Sequence, residues 1–163
     1  MTPRTLFFSV IALVWGLIGY TPIARAHCEI PCGIYTDTMR IQMILEDCDT
    51  IQKSMDQIKS GGGKNYNQLV RWVSNKDDHA NKIQHIVTQY FMTQRVKSPA
   101  AGDDPADYYK KVAVLHQILV EAMKCKQTTD SAHVDNIRKL VDTFSHAYFS
   151  AEDLKQVHPG HGH

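Results

Sequence analysis

The chain has 163 residues, of which 43% are hydrophobic and 21% are charged, and its formal net charge is +1 with neutral histidines. This size and apolar content are sufficient for one domain with its own core, and they argue against low-complexity disorder. The near-neutral charge argues against nucleic-acid binding, which requires a strongly basic surface.

Residues 1–26 have the order of a secretory signal peptide. Arg4 precedes a mostly apolar run over residues 6–20, and Ala24 and Ala26 supply the small residues of a cleavage site. The run is shorter than the roughly 20 residues that cross a bilayer. We therefore expect signal peptidase to cut after Ala26, with an uncleaved amino-terminal anchor as the alternative.

Cleavage at this position predicts an exported protein, periplasmic or extracellular, that has no membrane attachment after processing. The leader contains two of the 18 basic residues and none of the 17 acidic ones, which leaves 16 against 17 and a formal charge of −1. His27 becomes the new amino terminus.

The mature chain begins with a set of metal donors, His-Cys-Glu-Ile-Pro-Cys-Gly-Ile-Tyr. The free α-amine and imidazole of His27, the next backbone nitrogen and the Cys28 thiolate can chelate one ion, and Cys32 can complete the set. Pro31 and Gly33 flank Cys32, so this segment can fold back as a hook. Thiolates with amine and amide nitrogen favour a square-planar geometry, which indicates nickel or copper in preference to zinc.

Two long amphipathic helices are predicted after the hook. Apolar residues three and four positions apart indicate one helix over residues 37–59, which ends at a serine and three glycines. The same spacing predicts a second helix over residues 69–90. Lys76 is the one charged member of the second apolar stripe.

Two further helices follow a proline-containing loop. Asp104, as the N-cap, and Pro105, at the first helical position, mark the start of the third helix, and Val134 and Tyr148 bound the stripe of the fourth. The apolar stripe of the third helix is expected to comprise Tyr108, Val112, Leu115, Leu119 and Ala122. No strand pattern competes with these helices.

The sequence therefore predicts an all-α fold with four segments. Residues 1–26 are the signal peptide, residues 27–35 the metal-binding hook, residues 36–157 a four-helix bundle and residues 158–163 a histidine-rich tail. The tail either binds nickel or copper loosely or is a flexible polar end.

Two more cysteines, Cys48 and Cys125, lie within the helical patterns. In an exported protein they form either a disulfide or a pair of buried thiols, and the spacing does not distinguish these states.

The first nine residues after the predicted cleavage site resemble the amino terminus of the nickel-containing superoxide dismutase family, whose mature proteins begin His-Cys-x-x-Pro-Cys-Gly-x-Tyr. Every fixed position matches, and cleavage before His27 would free the amine on which the family's site depends. The resemblance implies a helical-bundle subunit with one nickel ion and a homohexamer. It also implies an antioxidant oxidoreductase that converts superoxide to dioxygen and hydrogen peroxide by cycling Ni(II) and Ni(III).

The resemblance also implies roles for individual residues. His27 supplies its amine and, in the oxidised state, an axial imidazole; Cys28 supplies its backbone nitrogen and thiolate, and Cys32 the second thiolate. Anionic sulfur and amide ligands stabilise Ni(III), which makes the redox cycle accessible. Tyr35 corresponds to the tyrosine at the approach to the metal, and Tyr90 is our candidate for the tyrosine that a later helix adds.

The surroundings of the ligands depart from the family pattern. The family's first-helix glutamate, which supports the axial imidazole, follows an Arg-Ile pair, whereas Arg40-Ile41 is followed here by Gln42. Either Gln42 or Glu46 can accept that hydrogen bond. Lys76 either replaces the family's arginine as a cation that attracts superoxide, or extends out of the helical seam without a catalytic role.

Two other functions are compatible with the same residues. An exported carrier could bind nickel or copper through the three hook ligands and pass the metal on. Alternatively, Cys28 and Cys32 could form a disulfide that fastens the end of a purely structural bundle, although Pro31 and Tyr35 argue against this interpretation.

Overall fold

The computed structural model describes residues 31, 33–61 and 65–157. The chain divides into two units, Met1–Tyr35 and Thr36–His163. The predicted signal peptide, the three predicted metal ligands and the histidine-rich tail lie outside the described residues.

Five helices make up most of the described residues. In chain order they are α1 (Asp37–Gly61), α2 (Tyr66–His85), which continues directly as a π-helix (Ile86–Arg95), α3 (Ala106–Gln127), α4 (Ala132–Tyr148) and α5 (Ala151–Val157). This part of the chain contains no strand, so the prediction of an all-α fold is confirmed for it. The short helix α5 was not predicted.

The helix starts follow local capping chemistry. Asp104 Oδ1 accepts a hydrogen bond from the Ala106 N–H at 3.0 Å, and α3 begins one residue later than predicted. Asn65 Oδ1 accepts from the Gln68 N–H at 3.3 Å, which starts α2 before its apolar stripe begins.

The helices pack in chain order, with α1 against α2, α2 against α3, α3 against α4, and α4 also against α1, while α5 lies against α1 and α4. Asp37 contacts Arg95 and Ser54 contacts Asn75, so α1 runs antiparallel to α2 and its π-helical extension. The largest fully buried side chains are Ile41, Ile44, Ile51, Met55, Ile83, Val87, Phe91, Leu115, Ile118, Val134, Ile137 and Phe144.

The buried face of α3 differs from the predicted stripe. Leu115 and Ala122 are buried as expected, but Tyr108, Val112 and Leu119 are only partly buried. The fully buried positions also include Val114, Ile118 and Cys125. The helix is apolar around much of its circumference. The spacing of three and four residues therefore did not show which part of this apolar surface would be buried.

Cys48 and Cys125 are free, buried thiols in this structure. Burial raises the pKa of Cys48 to about 12 and that of Cys125 to about 11. Both thiols are therefore protonated at neutral pH and behave as small apolar core residues. None of the helices in the described part of the chain is both long and apolar enough to cross a membrane.

Candidate functional site

Pro31, Gly33 and Ile34, three of the described residues of the hook, belong to a tight turn. The Ile34 N–H donates to the Pro31 carbonyl at 2.7 Å, and Gly33 has a φ of 80°. A positive φ at the third residue of a β-turn favours glycine there. A Cβ on Gly33 would meet nothing within 4 Å. The positive φ, and not a lack of room for a side chain, is therefore the reason for glycine at this position. Such a turn is compatible with a hook, which stays a prediction because residues 27–30 and 32 lie outside the described residues.

The ligand set itself stays a prediction, because His27, Cys28 and Cys32 lie outside the described residues. Tyr35 is described and is 38% exposed. It is the last residue of the first unit, and the two residues that follow it begin the helical unit.

Tyr90, the predicted second tyrosine, is buried against the start of α1. Its hydroxyl donates to Asp37 Oδ1 at 2.5 Å, and the backbone N–H of Thr36 donates to it. Tyr90 is therefore fixed to the two residues that follow Tyr35 in the chain.

Asp37 is the centre of a cluster that the sequence analysis did not find. Arg95 donates to both of its carboxylate oxygens, through Nε at 2.9 Å to Oδ1 and through Nη2 at 2.7 Å to Oδ2, and the Tyr148 hydroxyl donates to Oδ2 at 2.8 Å. Asp37, Tyr90, Arg95 and Tyr148 are called the Asp37 cluster below. It joins the start of α1 to the π-helix and the end of α4.

The π-helix brings two members of this cluster together. Its backbone bonds connect residues five apart, as the Val96 N–H shows by donating to the Phe91 carbonyl at 2.8 Å. Tyr90 and Arg95 are also five apart and reach the same carboxylate. In an α-helix such residues do not share a face, so a pattern of threes and fours could not reveal this pair.

The cluster changes the titration of its members. Burial raises the pKa of Asp37. The hydrogen bonds from Arg95, Tyr90 and Tyr148 lower it by a larger amount, so the pKa lies below the ordinary value of an aspartate. Burial and the negative charge of Asp37 raise the pKa of Tyr90 to about 12, and the pKa of Tyr148 also rises. At neutral pH the cluster therefore holds an ionised carboxylate and two neutral phenols.

Arg40 lies over the ring of Tyr90, with its guanidinium carbon 5.0 Å from the ring centroid, which is cation–π geometry. Its Nε is buried and has no hydrogen-bond partner among the described residues. Arg40 also lines a groove of about 610 Å³ between α1 and α2, together with Glu46 and His79. This places an arginine beside Tyr90 that the sequence analysis did not consider as a site residue.

Lys76 is only 3% exposed, and its contacts account for its burial. Its Nζ donates to the carbonyl oxygens of Cys125 and Lys126 at 2.7 and 2.8 Å and to Asp77 Oδ1 at 2.7 Å. The first two are carbonyls at the C-terminal end of α3, where a helix leaves such groups without partners. Lys76 lies fourteen residues before Tyr90, or roughly 20 Å along a helix, so the structure does not bring these two predicted site residues together.

Gln42 and Glu46, the two candidates to support the His27 imidazole, have different environments. Gln42 Nε2 donates to the Gln156 carbonyl at 2.8 Å, which ties it to α5. Glu46 is exposed and lines the groove between α1 and α2. The choice between them stays a prediction, because His27 lies outside the described residues.

Among the described residues, no three His, Cys, Asp or Glu side chains are grouped closely enough to hold a metal ion. The predicted donors for a soft metal remain those of the amino-terminal sequence, His27, Cys28 and Cys32.

A comparison with known proteins identifies the family of this chain. The family model of nickel-containing superoxide dismutase matches residues 22–152, which include the whole donor segment and the four long helices. The chain belongs to the nickel-containing superoxide dismutase family. No curated protein and no solved structure matches this family member significantly.

The donor types of the predicted ligand set are consistent with membership in the nickel-containing superoxide dismutase family. The segment contains two cysteines, a histidine and a backbone amide, and the predicted cleavage before His27 would add a free amine. These soft and nitrogen donors fit nickel(II), whereas hard oxygen donors are absent from the predicted set.

Proposed function

We propose that the processed chain is a nickel-dependent superoxide dismutase. One superoxide anion loses an electron and becomes dioxygen; a second gains an electron and two protons and becomes hydrogen peroxide. The observation that carries this proposal is the family match, because residues 22–152 include the complete donor motif. The hydrogen bond from the Ile34 N–H to the Pro31 carbonyl and the positive φ of Gly33 support it, because they form a turn within the motif.

The proposed ligands are the amine and imidazole of His27, the backbone nitrogen and thiolate of Cys28, and the thiolate of Cys32, with one nickel ion per subunit. Bound nickel would supply the one-electron cycling between Ni(II) and Ni(III). The protein's task is to hold the thiolates reduced and the terminal amine unprotonated, since only those forms bind metal.

Tyr35 and Tyr90 are the proposed tyrosines at the approach to the metal. Tyr90 is supported by its bonds to Thr36 and Asp37, which directly follow Tyr35 in the chain. Arg40 is the cation in contact with Tyr90 that carries no carboxylate partner in the described part of the chain, and we assign it the attraction of superoxide. The contacts of Lys76 favour a role in holding α3, so we do not include it in the site.

The remaining features of the proposal concern the whole protein. The four long helices would form the bundle of one subunit, and six subunits would assemble as the family resemblance implies. Cleavage after Ala26 would export the protein and expose the amine of His27.

The first test is electron paramagnetic resonance of the processed, nickel-loaded protein, together with a superoxide-consumption assay. We expect a rhombic Ni(III) signal and activity in the processed protein, and neither in protein that retains residues 1–26 or carries one extra residue before His27. Activity in the extended forms would contradict the use of the terminal amine. Bound but redox-silent nickel without activity would favour a metal carrier.

A second test replaces the cysteines one at a time. Cys28→Ala and Cys32→Ala should abolish both the Ni(III) signal and activity while leaving helix content by circular dichroism unchanged, because neither residue lies in a predicted helical stripe. Cys48→Ala is the matched control, since Cys48 is a buried, protonated core thiol. It should lower thermal stability but keep activity per bound nickel. Activity in either hook variant would contradict the ligand assignment.

A further inference from the structure

Asp37 has an unusual number of donors for a single carboxylate near the protein surface. Tyr90 and Arg95 donate to Oδ1, and Arg95 and Tyr148 donate to Oδ2, all at 2.5 to 2.9 Å. Asp37 also opens α1, where the helix dipole favours a negative charge. The carboxylate is therefore ionised and fully engaged.

An ionised carboxylate can only accept hydrogen bonds, so the bond between Tyr90 and Asp37 has one possible direction. The Tyr90 hydroxyl hydrogen points to Asp37 Oδ1, and the Thr36 N–H donates to the Tyr90 oxygen. The orientation of this phenol is thus set by two consecutive residues at the start of α1.

We infer that Asp37 is a positioning residue of the dismutase site, because its carboxylate takes the hydroxyl hydrogen of Tyr90 and leaves that tyrosine as a hydrogen-bond acceptor. The inference rests on the proposed function, in which Tyr90 lies at the approach to the metal. The protons that complete hydrogen peroxide must then come from solvent or from another donor, and not from Tyr90.

The charged and titratable groups that face Tyr90 come from three elements. Asp37 and Arg40 belong to α1, Arg95 belongs to the π-helix, and Tyr148 ends α4. The charge of Arg95 is paired with Asp37, so removing the carboxylate would leave two arginines beside the phenol. Both would favour the phenolate, and Tyr90 would then ionise at lower pH.

The decisive measurement is a tyrosine titration of the metal-free protein, which does not depend on nickel or activity. Protein labelled with ¹³C at tyrosine Cζ is followed by NMR up to about pH 11, roughly one unit above the ordinary tyrosine pKa. Tyr90→Phe assigns the resonance. In the wild type the Tyr90 signal should not titrate in this range, because its pKa is raised to about 12. Titration of wild-type Tyr90 near pH 10 would overturn the inference without any Asp37 variant.

Asp37→Asn removes the charge at nearly constant volume and should bring the Tyr90 pKa down by at least about one unit, into the observable range. Asp37→Glu keeps the charge and should restore a raised pKa at least in part. The matched control is Asp49→Asn, because Asp49 lies on the same helix and pairs with Arg138 at 2.7 Å but contacts no tyrosine. An unchanged Tyr90 pKa in Asp37→Asn, or an equal decrease in Asp49→Asn, would overturn the inference.

The nickel-loaded enzyme supplies the functional readout. In Asp37→Asn, kcat/KM for superoxide should begin to fall at least about one pH unit earlier on the alkaline side than in the wild type, as Tyr90 ionises and repels the anion. A merely structural loss would reduce kcat/KM by the same factor at every pH and would overturn the positioning role. An inactive wild-type protein whose Tyr90 titrates as expected would refute the proposed dismutase function and leave the effect of Asp37 on Tyr90 established.

Discussion

Asp37 and Lys76 are both charged side chains taken largely out of water, and their charges are held in different ways. The carboxylate of Asp37 is surrounded by the side chains of Tyr90, Arg95 and Tyr148. The ammonium of Lys76 is held mainly by two main-chain carbonyl oxygens at the end of α3.

The nature of the partners decides what each buried charge can do. Phenol and guanidinium side chains respond to the charge of Asp37, and the raised pKa of Tyr90 is one result. Main-chain carbonyls do not titrate at any accessible pH, and of the three partners of Lys76 only the Asp77 carboxylate is a side chain, so most of its contacts complete hydrogen bonds at a helix end. A buried charge therefore indicates a functional site more strongly when most of its partners are side chains that can titrate.

The largest expected effect is that of Lys76→Met. The substitution leaves the carbonyls of Cys125 and Lys126 without their charged donor, and we expect the free energy of unfolding to fall by about 3 kcal/mol. Urea denaturation followed by circular dichroism measures this change. Lys53→Met, at an exposed position of α1, is the control and should change stability by less than about 0.5 kcal/mol.

Lys76→Met also tests the catalytic role predicted for Lys76 from the sequence. If Lys76 only holds the end of α3, folded variant protein should keep its kcat/KM for superoxide per bound nickel. A roughly tenfold lower kcat/KM, with a weaker dependence on salt, would show that Lys76 attracts superoxide and would remove the contrast with Asp37.

Arg95→Gln should have the next largest effect. Arg95 forms a bidentate pair with Asp37 in which the arginine side chain is 25% exposed and the aspartate side chain 15% exposed. Its loss leaves a largely buried carboxylate with two phenols only, and we expect unfolding free energy to decrease by about 2 kcal/mol. Arg138→Gln breaks a comparable contact to Asp49, whose side chain is 76% exposed, and should cost less than about 1 kcal/mol. Equal losses in the two variants would contradict the importance attached to burial.

Most of the fold could be predicted because the apolar spacing of an amphipathic helix is visible within a short stretch of sequence. The seams of α1 and α4 were correct, since nearly all their predicted members are buried. The change from α-helix to π-helix at Ile86 could not be predicted, because residues 86–90 continue the spacing of an ordinary helix. Helix α5 was missed because seven residues are too few to establish a period.

The candidate site was predictable where its residues are consecutive and was not where they meet by folding. The hook motif is nine adjacent residues, so a donor set could be predicted from it directly, and that set stays a prediction. The Asp37 cluster joins Asp37 to residues that lie 53 to 111 positions further along the chain, and Asp37 alone resembles an ordinary acid in the first turn of a helix. Only tertiary packing distinguishes it from such a residue.

The smallest expected effect concerns two carboxylates of α1. Their pKa values are shifted from the ordinary value in opposite directions. Burial raises the pKa of both Asp37 and Asp47. The bonds from Arg95 and two tyrosines outweigh burial at Asp37, whereas His79, whose Nδ1 lies 2.6 Å from Asp47 Oδ1, does not outweigh it at Asp47. The pKa of Asp37 is therefore lowered and that of Asp47 is raised.

These directions predict opposite effects on acid stability. The lowered pKa of Asp37 stabilises the fold above the ordinary value of 3.8, and this contribution is lost as the pH falls through the folded-state value. The raised pKa of Asp47 contributes fully below 3.8 and is lost as the pH rises, so acid partly compensates at this residue. Between about pH 6 and about pH 3, urea denaturation of Asp37→Asn should therefore show a smaller loss of stability than the wild type, and Asp47→Asn a larger one. If both variants changed the acid response in the same direction, hydrogen bonding would not be what separates the two carboxylates, and burial alone would have to account for both.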